Sequence, residues 1–344
     1  MPSRHLGLDL GGTNIKTAVL EPGPPPGWRV VMQASTPTGA LDGPDAVLGR
    51  LVAAGEAAVR AAGPLDGVGL AVPGLFDAGT GEIVLFPNLP GPWPGRAVAA
   101  ELEAALNLPV ALVNDARAGT LAEARIGAAA GCATVVCVVL GTGVGGGVVV
   151  DGRLRTGPHG RAGEVGHQVL VVDGEPCGCG NRGCLEAYAG AAALSRLGGR
   201  GTPEEVVIAA RAGDEVARAA LGSVAARLAH GLGNVLTVLL PERIVVGGGV
   251  AAAGELLLGP LRRELVRRAP MVPADWYDVV PAAVGPLAGA VGAALFSAES
   301  GGVAPGQPVP DRPPLATSAA SRTAPASVEP APRAAGTTVI RRRT

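Results

Sequence analysis

His167, Cys177, Cys179 and Cys184 fall in one short stretch, spaced His-x9-Cys-x-Cys-x4-Cys. Three thiolates and one imidazole make up the donor set of a closed, tetrahedral structural zinc site. The Cys-x-Cys step is tighter than the usual spacing, and Gly178, Gly180 and Gly183 between the thiols let the loop fold closely around an ion. Cys132 and Cys137 lie instead in apolar runs, where a thiol packs as a small hydrophobe. His5, His159 and His230 have no such company and read as structural or solvated.

A second chemistry is written in glycine. Gly11-Gly12-Thr13 separates the apolar runs 4–10 and 15–20, and Gly141-Thr142-Gly143 separates 135–140 from 145–150. Each reads as strand, tight turn, strand. A turn without Cβ atoms lets backbone N–H groups approach phosphate oxygens. Two such units in one chain predict two related lobes facing each other. A third glycine run, Gly247-Gly248-Gly249, follows an apolar segment at 243–246. Asn114-Asp115 closes the run 109–113, at the kind of strand carboxyl end where open α/β sheets hold ligands. Asp115 can also serve there as the N-cap of a helix beginning at 116.

These residues need elements to hold them. The pattern predicts strands at 28–34 and 67–72, and helices at 44–62, 96–106, 116–127, 217–240 and 287–297, with another helix after 249. A Pro-rich loop spans 22–27. From 301 to 344 there is no aromatic residue, Pro, Ala, Ser and Thr dominate, and the chain ends in an Arg cluster. Such a segment buries too little apolar surface to offset its ordering entropy, so disorder is expected.

Composition excludes several classes. A formal net charge of −1 lacks the basic excess that phosphate-backbone binding requires. Lys16 is the only lysine, and aromatics at 2% leave no platform for stacking bases. No apolar run of membrane-spanning length is free of charges or glycine breaks, and no basic-then-apolar leader opens the chain. A cytoplasmic protein with no membrane or nucleic-acid partner is expected.

The chain resembles the ROK family (repressors, open reading frames and kinases), and within it the zinc-containing glucokinases. The resemblance rests on LGLDLGGTNIKTAVL at 6–20, GLAVPGLFDAGTGEIVLFPNLPG at 69–91 and VNDARAGTLAEARIGAAAG at 113–131. It continues with LGTGVGGGVVVDG at 140–152, GRAGEVGHQVLVVDGEPCGCGNRGCLEAYAG at 160–190 and IVVGGGV at 244–250, in family order over about 4–298.

The resemblance implies an α/β, two-lobed actin-like ATPase (ribonuclease H-like) fold with a cleft between the lobes. The smaller lobe would be 1–114, with the helix at 287–298 returning to it, and the larger 115–286, carrying the zinc loop. It further implies ATP-dependent phosphorylation of a hexose, glucose first, with Mg²⁺ accompanying ATP and zinc held structurally. Asp9, Gly11, Gly12 and Thr13 would form the first phosphate motif, with Asp9 toward Mg²⁺; Gly141, Thr142 and Gly143 would form the second. Gly247, Gly248 and Gly249 would make the adenosine-side turn. Asp115 would be the general base, and Asn88, Asn114, Glu164, His167 and Glu186 would meet the sugar hydroxyls. Asn88 can equally be a loop-turn residue. His167, with one ring nitrogen on zinc, would keep the other for the sugar.

Where relatives commonly carry a small or amide residue this chain has Arg117, which leaves the packing around it open. N-acetylmannosamine, N-acetylglucosamine and fructose are the other acceptors considered, and a non-catalytic sugar-sensing regulator is the rival of another class. A family repressor would carry a helix-turn-helix ahead of the first strand, and only three residues precede Arg4. A homodimer or homotetramer is expected.

Overall fold

Residues 5–10 alternate nothing: every one is buried, as a strand covered on both faces requires. In the computed structural model, which describes residues 3–24 and 27–301, they form β1 (His5–Leu10), paired antiparallel with β2 (Asn14–Pro22), itself paired antiparallel with β3 (Trp28–Pro37). The helix α1 (Pro44–Ala62) leads to β4 (Gly67–Val72), which joins β1 in parallel. A small hairpin, β5 (Leu75–Phe76) and β6 (Ile83–Leu85), precedes α2 (Val98–Leu106) and β7 (Val110–Asn114), parallel to β4. The first sheet therefore runs β3-β2-β1-β4-β7.

After α3 (Asp115–Arg125) the pattern repeats. β8 (Val135–Leu140), β9 (Val144–Val150) and β10 (Arg153–Leu154) form an antiparallel meander. Then come α4 (Leu185–Ala189), α5 (Ala191–Gly198), α6 (Pro203–Arg211) and α7 (Glu215–Leu239), with β11 (Arg243–Gly247) parallel to β8. Next, α8 (Glu255–Arg268) leads to β12 (Asp278–Pro281), parallel to β11, and α9 (Ala288–Ser300) closes the described chain. The second sheet runs β10-β9-β8-β11-β12, the same topology as the first. The two strand–turn–strand units read from sequence thus open two equivalent sheets.

Each sheet has its own core. Leu6, Leu8, Leu51, Leu70 and Trp93 belong to the first, and Val136, Val138, Leu221, Leu228 and Leu261 to the second. The helix α9 lies directly on the first sheet: Gly7 and Gly69 present no Cβ, and backbone carbonyls of Ala290 and Ala293 occupy that space. α3 crosses α9 where Gly292 leaves room for the Ala118 backbone, and its Thr120 side chain fills the gap over Gly147 of the second sheet. The α3–α9 pair therefore stands between the two sheets.

Sequence periodicity located the main strands and long helices to within a few residues. It missed the β5–β6 hairpin and β10, too short to show a period, the edge strand β12, and α4 to α6, whose apolar positions are broken by glycines and loops. Pro25 and Pro26 of the Pro-rich loop, and nearly all of the 301–344 segment expected to be disordered, lie outside the described residues. Among the described residues no helix is long and apolar enough to cross a membrane.

Candidate active site and metal centre

The carboxyl ends of β1, β7, β8 and β11 carry the four segments singled out above. At the end of β1 the Gly11 N–H donates to Asp9 and Asn14 carbonyls at 3.2 and 3.1 Å, closing the turn. Thr38 secures it from outside: its N–H meets the Thr13 carbonyl at 2.8 Å and its hydroxyl donates to the Gly11 carbonyl at 2.6 Å. Asn88 stands against Gly12, its carbonyl oxygen 3.1 Å from where a Cβ would be. Its placement brings the 86–89 loop to the first glycine turn.

Asp9 is 8% exposed, 3.7 Å from Lys16 Nζ and pressed against Gly289 in the first turn of α9. Burial raises its pKa, and Lys16 offsets part of the rise. Lys16 was not anticipated as a site residue, although a signal existed. The hairpin register pairs Asp9 with Lys16, as a turn centred between Gly12 and Thr13 must.

Asn114, rather than Asp115, caps α3: its Oδ1 accepts from Ala116 N at 3.1 Å and Arg117 N at 3.3 Å. Its amide donates to the Gly74 carbonyl at 3.3 Å. This corrects the alternative in which Asp115 is the N-cap. With the cap moved back by one residue, Asp115 is the first residue of the helix and is half-buried. Burial and the nearby Asp9 charge push Asp115 up to about 6, against the Ala116 N–H and Arg117, which favour the ionised form. Glu164 adds a little to the rise. Arg117 is buried and ion-paired with Glu164 at 2.7 Å.

The second turn is closed by Gly141 N donating to the Gly143 carbonyl at 3.0 Å. Gly143 has no room for a Cβ, because the Glu186 carboxylate lies there and accepts from Val144 N at 2.9 Å. Ala191 N, at the start of α5, donates to the Gly141 carbonyl at 3.1 Å. Gly248, at φ +88°, packs on the Leu140 backbone just behind this turn, in space only glycine can use. The second and third glycine turns are therefore stacked.

His167, Cys177, Cys179 and Cys184 converge, all donor atoms lying within 4.8 Å of one another. Cys177 Sγ is 3.7 Å from His167 Nδ1, and Cys179 Sγ is 3.7 Å from Cys184 Sγ. Metal–sulfur bonds of the length zinc adopts, meeting at tetrahedral angles, separate donor atoms by about 3.8 Å. The cluster fits zinc by donor type and by spacing. Burial pushes the Cys177 thiol up to about 12, so a cation is what would hold it as thiolate. Cys177 also lies 3.3 Å from Glu186 Oε1, which links the metal cluster to the second turn through one carboxylate.

The structure thus groups Asp9, Asp115 and Glu164 around Arg117 and Lys16, joins Asn88 to the first turn, and joins His167 and Glu186 to the metal cluster. Asn114 has its side-chain oxygen committed to the cap.

The ROK family matches residues 5–299. The glucokinase of Streptomyces coelicolor is 32% identical over 86% of this chain and 97% of its own length. An N-acetylmannosamine kinase of Haemophilus influenzae is 32% identical over 85% and 95%. Among solved structures, the ROK hexokinase of Thermus thermophilus superposes with a TM-score of 0.74 at 36% identity, covering 85% of this chain and 97% of that one. A ROK-family glucokinase of Streptomyces griseus, solved with glucose and AMPPNP, gives 0.71 at 30% identity, covering 86% and 99%. The chain belongs to the ROK family and has the two-sheet α/β, actin-like ATPase fold of its sugar kinases.

Proposed function

We propose that this ROK-family chain transfers the γ-phosphoryl group of ATP to the 6-hydroxyl of a hexose, glucose first, in the cytoplasm. The observation that carries the reading is Asp115. It is a carboxylate just past the end of a parallel strand, raised to about 6 by burial and by Asp9, which stands two residues before the first glycine turn. Near neutral pH such a group is mostly ionised yet basic enough to take a proton from a hydroxyl as that oxygen attacks phosphorus. The oxygen–phosphorus bond forms, the bond from the γ-phosphorus to the bridging oxygen breaks, ADP leaves and the proton rests on Asp115.

Backbone N–H groups of the turns at Gly11–Thr13 and Gly141–Gly143 would hold the phosphates, with the Gly247–Gly249 turn beneath the adenosine side. Asp9 would take Mg²⁺, which neutralises charge on the phosphates when bound. Asn88, Glu164, His167 and Glu186 would meet the sugar hydroxyls, with Asn114 limited to what its cap leaves free. His167 offers Nδ1 to the metal cluster, so its Nε2 is the nitrogen available to a sugar. Closing of the lobes on the hexose would exclude water that otherwise consumes ATP.

A panel of hexoses with ATP in a coupled assay tests the reading. Glucose should exceed N-acetylmannosamine, N-acetylglucosamine and fructose in kcat/KM, because an acetamido group removes a hydroxyl that the sugar wall could pair with. Higher efficiency on an acetylated sugar would move the acceptor and keep the base. No turnover of any hexose would support the non-catalytic sugar-sensing rival.

A further inference from the structure

Arg117 is a buried charge beside Asp115 that neither the glycine turns nor the metal cluster engages. It is 2% exposed, in the first turn of α3. Its guanidinium reaches across to the segment following β10: Nε donates to the Ala162 carbonyl at 2.6 Å, and Nη2 to Glu164 Oε1 at 2.7 Å. A planar fork holds two acceptors in one fixed geometry through separate nitrogens, whereas an ammonium carries its three donors on a single rotatable nitrogen. The far side of that segment is held as well, by Ala162 N donating to the Thr156 carbonyl at 2.7 Å and by Gly163 packing on Gly147. A short 3-10 turn, Val165–His167, follows directly and ends on the metal-cluster histidine. Glu164 is half-buried, with one carboxylate oxygen tied to Arg117.

We infer that Arg117 is a positioning residue, whose buried fork clamps the 162–164 segment to the start of α3 and so fixes where Glu164 stands relative to Asp115. Its kinetic consequences rest on the hexose-kinase reading; the clamp itself does not. The clamp also has an electrostatic effect. Asp115 is faced by Asp9 from β1, by Glu164 from the clamped segment, and by Arg117 and the Ala116 N–H from its own helix, with Lys16 of β2 beyond Asp9. Arg117 is the cation among them acting directly on Asp115. Its removal raises the Asp115 pKa, so the acidic limb of activity moves to higher pH.

Two variants, R117Q and R117K, separate fork from charge. Hydrogen exchange on the folded protein reads the clamp without turnover. Amides of 161–165 should exchange roughly tenfold or more faster in R117Q than in wild type, the scale of one lost charge-assisted hydrogen bond, while those of β1 keep their rates. Equal rates at 161–165 overturn the clamp. In kinetics, R117Q should raise the hexose KM by roughly tenfold with a smaller change in kcat, and shift the acidic limb of kcat/KM upward. R117K should return the limb toward the wild-type pH but leave KM high, since the charge is restored and the fork is not. An unchanged hexose KM in R117Q overturns the positioning role. Should R117Q fail to fold, exchange and KM are read on R117K with the same criteria. If the wild-type protein phosphorylates no hexose, the kinase reading falls while the exchange experiment still decides the clamp.

Discussion

The turns at Gly11–Thr13 and Gly141–Gly143 come from the same hairpin at the head of the same sheet topology, yet they are supported in different ways. The first is held by its own sheet's neighbourhood, through Thr38 hydrogen bonds and contact with Asn88. The second leans on Glu186 and the start of α5, and Glu186 in turn touches Cys177 of the metal cluster. Duplicated topology therefore does not mean duplicated stability. One turn is held by hydrogen bonds within its own sheet's surroundings, and the other by a carboxylate in contact with a cysteine–histidine cluster that could bind zinc.

The largest expected effect falls between the turns and should leave both intact. Asp115→Asn keeps shape and hydrogen bonding but removes proton acceptance, so kcat should drop by roughly 10²–10⁴ with little change in nucleotide affinity. In the wild type, kcat/KM should decline as pH falls through about 6, because the base must be ionised and its pKa lies there. Near-normal turnover in the variant would place the chemistry on another residue.

Cys179→Ser tests the asymmetry itself. Elemental analysis should show about one zinc per wild-type chain and none in the variant. Exchange protection should be lost across 160–190 and at 141–144, while 11–14 stays protected. Loss at both turns alike would mean that the metal cluster supports the whole cleft.

A smaller change strains the contact between Glu186 and the second turn. Gly143→Ala places a Cβ where the Glu186 carboxylate lies. Displacing Glu186 breaks its bond from Val144 N, so kcat/KM for ATP should fall roughly tenfold to a hundredfold with zinc retained. An ATP response indistinguishable from wild type would remove Glu186 as the support of that turn.

Thr38→Val is the counterpart at the first turn and the mildest of the set. Thr38 is fully buried, and the change deletes the hydroxyl that donates to the Gly11 carbonyl at similar volume. A loss of about 1 kcal/mol of stability is expected from denaturant unfolding, with zinc content unaffected. A larger loss accompanied by zinc release would show that the two turns are one cooperative unit.

Much of this arrangement can be read along the chain. The candidate zinc ligands sit within one short stretch of chain, so their spacing brings them together, and glycine turns between apolar runs announce their hairpins. The duplication of the two sheets follows from the same local pattern appearing twice. Asp115 is legible as a residue at a strand end, but whether it or Asn114 caps the helix is a matter of one residue of backbone geometry, below what a sequence pattern resolves.

Local spacing thus determined the cysteine–histidine cluster, both hairpin turns and the place of Asp115, because hydrogen bonding and side-chain periodicity act over a few residues. Tertiary structure decided what those pieces touch. Arg117 meets Glu164 across 47 positions, and Glu186 reaches Val144 across 42. The Asp115 pKa is set by burial and by Asp9 on a different strand. Burial and long-range charge are properties of the assembled cleft, and no window of sequence contains them.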